Sequence, residues 1–293
     1  MIKTVQFTLS FTGNDSDRHL IDFYDVSKAL IGFQRSIALT THLVLNNEII
    51  TQAPYLKGAT IYALPSEAGS WKMTAVVMAS LYHLGTAPIN TPIGHLIHSL
   101  YDYVVSESLG FHVDYDKTLK KLYDESDIKK TQLPQIRESQ AHSLVEKCSP
   151  AIEEMHRPIY KGHTAKKGRI VTTIGDRKIP LQQSLTIETY DFIHETHISA
   201  EPEEIQGRIS GYYKNTFKGK IFDKSIGWPV SFELRDQARN RIAFDLIIRS
   251  LHANALSLTN ENSIVFCKAY RMTSKSGQLK GFLITEVSSK PLS

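Results

Sequence analysis

The chain has 293 residues, 41% of them hydrophobic and 22% charged, with a formal net charge of +4. That composition excludes a disordered or collagen-like protein and leaves room for about two domains. The two cysteines, Cys148 and Cys267, lie far apart without CxxC spacing, which excludes a disulfide framework and a zinc ribbon and points to a reduced, cytoplasmic protein.

The first residues, MIKTVQFTLSFTG, lack the apolar run of a signal peptide. Val5, Phe7, Leu9 and Phe11 alternate with polar residues, which predicts a strand with one buried face. Gly13-Asn14-Asp15 supplies a turn, and Asp22 is placed to cap a helix. On that helix Val26, Ala29, Leu30, Phe33 and Ile37 form the apolar stripe, and Lys28 and Arg35 are expected to face water. Residues 58–64 and 70–77 read as two strands of a hairpin around the loop 65–69.

Residues 73–101 contain no Asp, Glu, Lys or Arg. Pro88, Asn90, Pro92 and the histidines His83, His95 and His98 interrupt them, so no membrane span is expected. Thr91-Pro92 opens a helix with Ile93, Leu96, Ile97, Leu100, Tyr101 and Val104 on one face, stopped near Gly110. Residues 115–157 are charged and helical in pattern; Leu144, Val145, Cys148 and Ile152 make the stripe, and Pro150 is expected to kink or split it. After the polar loop 161–167, residues 169–174 and 185–193 read as strands around the turn Gly175-Asp176. His194 and His197 are expected on opposite faces of a strand.

A domain junction is placed near residue 200, giving domains 1–199 and 200–293. Beyond it come three short strands, a helix over 239–255 and two more strands, the order of an OB-type barrel. Gly207, Gly211, Gly219 and Gly227 recur at strand edges, where a small barrel coils or bulges. Leu283 alternates with Phe282 and Ile284, a strand expected to be covered on both faces. The fold class is therefore α+β: an N-terminal antiparallel sheet with packed helices, and a small C-terminal OB-like β-barrel.

The segments FTGNDSDRHLIDFYDVSKALIGFQRS and PSEAGSWK resemble a family of uncharacterised bacterial proteins of similar length. The resemblance covers the N-terminal half and implies no activity.

From residue 200 onward there are 14 Lys/Arg against 9 Asp/Glu, and before it 20 against 21, so the basic surplus belongs to the C-terminal block. There Arg208, Lys214, Lys218, Lys220 and Lys268 interleave with Tyr212, Tyr213, Phe217 and Tyr270. Cations for phosphates beside rings for bases are what a single-strand groove requires, so nucleic acid or an oligonucleotide is the expected ligand. The competing readings are rings that pack the barrel with lysines guarding strand edges, and a protein-interaction or self-assembling component. A metal-assisted hydrolase would need His95, His98 and Asp102, which share one helix face at i, i+3 and i+7. No HExxH, GxSxG, GxxxxGK[ST] or GxGxxG occurs, so neither a catalytic residue nor a cofactor is expected.

Overall fold

A computed structural model describes residues 4–64, 71–79, 92–115, 118–119, 134–256 and 263–292. The chain divides into two units, Met1–Ile193 and His194–Ser293.

The first unit is built on strand β1 (Thr4–Thr12), whose Val5, Phe7, Leu9 and Phe11 are buried while the alternate residues are partly exposed. β1 lies at the centre of an antiparallel sheet with β2 (Ala59–Leu64), β3 (Lys72–Ala79), β4 (Lys167–Ile174) and β5 (Arg177–Pro180), in the order β2-β3-β1-β4-β5. The expected hairpin is the β2–β3 pair; its loop lies outside the described residues, as does most of the uncharged stretch between β3 and the next helix. Among the described residues no helix is long and apolar enough to cross a membrane.

Helices α1 (Phe23–Asn46), α2 (Pro92–Ser108) and α3 (Glu138–Glu154) contribute the rest of this unit's core. Asp22 caps α1 by accepting from the Asp25 N–H at 2.9 Å, and Asn47, left-handed at φ 54, ends it. The stripe Val26, Ala29, Phe33 and Ile37 is buried as its spacing demands. Arg35 does not simply face water: it is half-buried and donates to the Thr51 carbonyl at 3.2 Å. Gly32 is where α1 and α3 meet, since a Cβ there would lie 2.2 Å from the Ala151 carbonyl oxygen. α3 runs through Pro150 without a break. Proline costs the helix one hydrogen bond, but Ala151 and Ile152 beyond it are buried and hold the last turn in place.

Two sequence expectations fail near the end of this unit. Residues 187–194 are helix α4 (Ile187–His194), not a strand, and the partner of β4 is the short β5. The β-branched and aromatic residues suggested a strand, but Thr186 and Thr189 exchange side-chain-to-backbone hydrogen bonds at 2.8 and 3.4 Å and nucleate a helical turn. His194 therefore ends a helix, and His197 opens β6 (His197–Ile198); they do not share a strand.

In the second unit β7 (Glu203–Tyr213), β8 (Lys218–Phe222) and β9 (Pro229–Leu234) form an antiparallel meander. Helix α5 (Arg241–Ala255) follows, then β10 (Val265–Thr273) and β11 (Leu279–Ser288). β11 runs parallel to β9, and β10 pairs with both β11 and β7, so the five strands close into a barrel of OB-like order. Ile209, Ile221, Phe232, Cys267, Phe282 and Ile284 fill it. Leu283 is buried as well as its two neighbours, so β11 is covered on both faces.

A bulge between Ile209 and Gly211 bends β7. The backbone groups it frees are taken by α5: Ser250 Oγ accepts from the Ile209 N–H at 3.0 Å, and Asn254 Nδ2 donates to the Ile209 carbonyl at 3.2 Å. The helix that plugs the barrel thus completes the hydrogen bonding of the bent strand.

Candidate functional site

The barrel carries the cations and rings singled out above, and the fold sorts them into distinct settings. Phe217, left-handed at φ 54, closes the β7–β8 turn and packs near-parallel to Phe244 at 6.1 Å, with the Arg239 guanidinium over its ring at 4.4 Å. Tyr212 also packs on the barrel core, 6.3 Å from Phe244. Its hydroxyl is buried without a hydrogen-bond partner, and burial pushes its pKa up. Both rings therefore close the barrel end. Tyr213 is half-buried, and Tyr270 lies under the Arg235 guanidinium at 5.7 Å.

The cations divide in the same way. Lys220 is only 6% exposed. Lys218 stands opposite Glu233, and Lys268 stands between Glu204 and Glu286 on the neighbouring strands. Cross-strand pairs of opposite charge are the ordinary way to neutralise a sheet surface. Arg271 grips Glu203 through two bonds of 2.8 and 3.2 Å, Arg239 holds Asp236 at 2.7 Å and Arg249 holds Asp245 at 2.6 Å. Lys214 is exposed in the β7–β8 turn. Arg208 is half-exposed and faces Phe222 across the strands.

Arg208 and Phe222 line a pocket of about 600 Å³, together with residues 204–207 of β7, the turn 223–225 and Ile264. Asp223 is buried there, but its carboxylate is engaged by its own turn, accepting from Ser225 N–H at 2.8 Å and Ser225 Oγ at 2.7 Å. Lys224 is exposed at the rim. The pocket thus presents two cations, a ring and the polar Gln206, with Glu204 and the turn-bonded Asp223 as the opposing charges. Phe222 and Lys224 were not among the sequence candidates. The signal was present in the strand period, because Phe222 falls in the phase of the half-exposed Lys218, opposite to that of the buried Ile221.

In the first unit His98 is 8% exposed and its Nδ1 lies 2.9 Å from Thr172 Oγ1. Burial, and secondarily His95, lowers its pKa to about 4. Burial also lowers the His95 pKa, with Arg177 adding to the effect. Asp102 accepts from the Gln182 N–H at 2.9 Å, and burial pushes its carboxyl up. These partners orient His98 and Asp102 toward the protein's own groups. Among the described residues no three His, Cys, Asp or Glu side chains are grouped to hold a metal. His156 is fully buried between the Ile152 carbonyl (2.8 Å) and Thr189 Oγ1 (3.0 Å), and burial lowers its pKa to about 4. Cys148 and Cys267 are buried thiols pushed up to about 12 by that burial, which leaves them without thiolate character at neutral pH.

Residues 7–194 match a family model described as a domain of unknown function (DUF7946), and residues 201–288 match one described as a family of unknown function (DUF7947). No curated protein and no solved structure matches the chain.

Proposed function

We propose, starting from the premise that this chain belongs to the DUF7946 family, that it is a non-catalytic binding protein whose C-terminal barrel holds a single-stranded nucleic acid. The observation that carries this reading is the pocket of about 600 Å³, which sets Arg208 and Lys224 beside the Phe222 ring on an OB-like barrel. A pocket of that size suits a nucleotide-sized group. Arg208 and Lys224 would meet phosphate oxygens, and Phe222 would stack on a base. The residues of the pocket, rather than Tyr212 and Phe217, are then the ones that touch ligand.

The test is fluorescence anisotropy of labelled 20-nucleotide DNA and RNA across a salt series. Arg208→Ala and Lys224→Ala should each weaken binding and flatten the salt slope by about 0.7, one single-strand phosphate contact. Phe222→Ala should cost about 1–3 kcal/mol of affinity with little change in slope. Retention of full affinity by all three variants, or no binding at low salt, refutes the reading.

One observation favours a second reading, self-assembly through the first unit. The β5 edge of the sheet is guarded by Arg177, Lys178 and Pro180, whereas the β2 edge, ATIYAL, has no charge, and Tyr62 is 51% exposed on it. An uncharged edge can pair with its own copy without repulsion. Light scattering of the wild type and Thr60→Lys tests this: a monomer at high concentration in both sinks it.

A further inference from the structure

The five strands of the first unit contain no aspartate or glutamate at all, while carrying Lys72, Lys167, Arg169, Arg177 and Lys178. Among the described residues of the two hairpins the one acid is Asp176, at the β4–β5 turn. Alternation decides where these cations point. The buried residues of β1 and β4 are Val5, Phe7, Leu9, Phe11, Ile170, Thr172 and Ile174, so the opposite phase belongs to the other face. Lys72, Lys167, Arg169 and Lys178 all fall in that phase.

Register sharpens the picture. Lys72 and Arg169 both stand opposite Ser10, on the strands either side of β1, with backbones about 10 Å apart. Lys167 stands opposite Thr12, two residues or about 6.6 Å along β4 from Arg169. Lys178 stands opposite Thr173 on the edge strand. None of the four forms an ion pair with another described residue, in contrast with the barrel, where Arg271, Arg239 and Arg249 are held by carboxylates. Arg169 and Lys178 are exposed, and Lys72 and Lys167 half-exposed.

From this we infer that the open face of the N-terminal sheet is a second binding surface, one that takes the phosphodiester backbone of a polynucleotide. Four cations that no described carboxylate pairs attract a polyanion. Ser10 lies between Lys72 and Arg169, with its hydroxyl donating to the Arg169 carbonyl at 3.4 Å, and Thr12 beside Lys167 adds a hydroxyl of the kind that donates to phosphate oxygens alongside Lys and Arg. The same face also carries Tyr62 and Leu64 on β2, 51% and 40% exposed, so capture by an anionic membrane is an outcome the test must separate. No aromatic ring lies among the four cations, so contact is to the backbone and independent of base sequence. This site is separate from the barrel pocket and stands or falls independently of it.

The experiment uses the full chain and fluorescein-labelled dT20 and dA20, with anisotropy read from 50 to 300 mM salt. The double variant Lys72→Glu/Arg169→Glu should weaken binding of both oligomers at least tenfold at 50 mM salt and flatten the log–log salt slope by about 1.4, two single-strand phosphate contacts. Circular dichroism checks that the fold is retained, and Lys72→Arg/Arg169→Lys should bind as the wild type does. The pair Lys147→Glu/Lys161→Glu carries the same change in net charge away from the sheet and should weaken binding much less. Arg208→Ala/Lys224→Ala reports separately on the barrel. A sheet variant that binds like the wild type overturns the inference, whatever the barrel variant does; so does an equal loss in the charge-matched control. Absence of nucleic-acid binding, with or without capture by phosphatidylserine vesicles, also overturns it.

Discussion

Lowering the pH from 7 to 5 should destabilise the first unit through two buried histidines. His156 and His98 have folded pKa values of about 4, against an ordinary 6.5 for each. In both cases burial is the main cause, and the neutral ring is the folded form. The unfolded chain binds the proton more tightly, so the stability each group contributes is complete above pH 6.5. It is lost as pH falls from 6.5 toward 4. At pH 5 each histidine costs about 2 kcal/mol, and the pair about 4 kcal/mol, a large part of the stability of a typical domain. Asp102 works in the opposite direction, because burial raises its folded pKa and favours folding as pH falls through that value. Urea unfolding at pH 7, 6 and 5, followed by circular dichroism, measures the loss. His156→Gln keeps an amide near Ile152 and Thr189; it should lower stability at pH 7 yet remove about 2 kcal/mol of the loss between pH 7 and 5, leaving the parts due to His98 and to His42 and His95, whose pKa values burial also lowers. None of the three histidines in the barrel unit is buried, so its transition should move little over the same range. Equal pH slopes in wild type and His156→Gln would refute the assignment of the acid sensitivity to this ring.

Three further outcomes follow from the packing. Gly32→Ala forces α1 away from the Ala151 carbonyl and should destabilise by about 1–3 kcal/mol, although alanine is the better helix former; a neutral or stabilising effect in thermal unfolding would show that the two helices are not in contact there. Ser250→Ala leaves the Ile209 N–H buried and unpaired, at about 1–3 kcal/mol, and should lower the barrel transition selectively in denaturant titrations. Cys148 and Cys267 should resist a thiol reagent such as DTNB in the native protein at pH 8 and both react after unfolding in urea; rapid native labelling of either would contradict their burial.

Periodicity made most of the fold legible. The phase of β1, the stripe of α1 and the strand–helix–strand order of the barrel were all readable, because each side chain's burial follows from its position along the element. What was missed turned on local chemistry that overrides propensity. The run Ile187–His194 reads as a strand by side-chain type, yet two threonine hydroxyls supply the backbone partners that start a helix. Pro150 reads as a break, yet one lost hydrogen bond is small beside the burial of the residues that follow it. Whether Tyr212 and Phe217 meet a ligand or pack the barrel was left open by the sequence, and closure of the barrel shows that they pack against Phe244.

Charge was the least legible property, for a physical reason. Counting along the chain assigns the basic surplus to the C-terminal block, but a cation is available to a ligand only when no carboxylate already faces it. Strand pairing brings Glu233 to Lys218 and Glu204 and Glu286 to Lys268, residues 15, 64 and 18 positions apart in the sequence. In the first unit the balance before residue 200 is slightly negative, yet its five strands contain no acid, and Lys72 and Arg169 both stand opposite Ser10. Acids there are numerous but lie on helices and loops. The surface with free positive charge is therefore set by register, which composition does not contain.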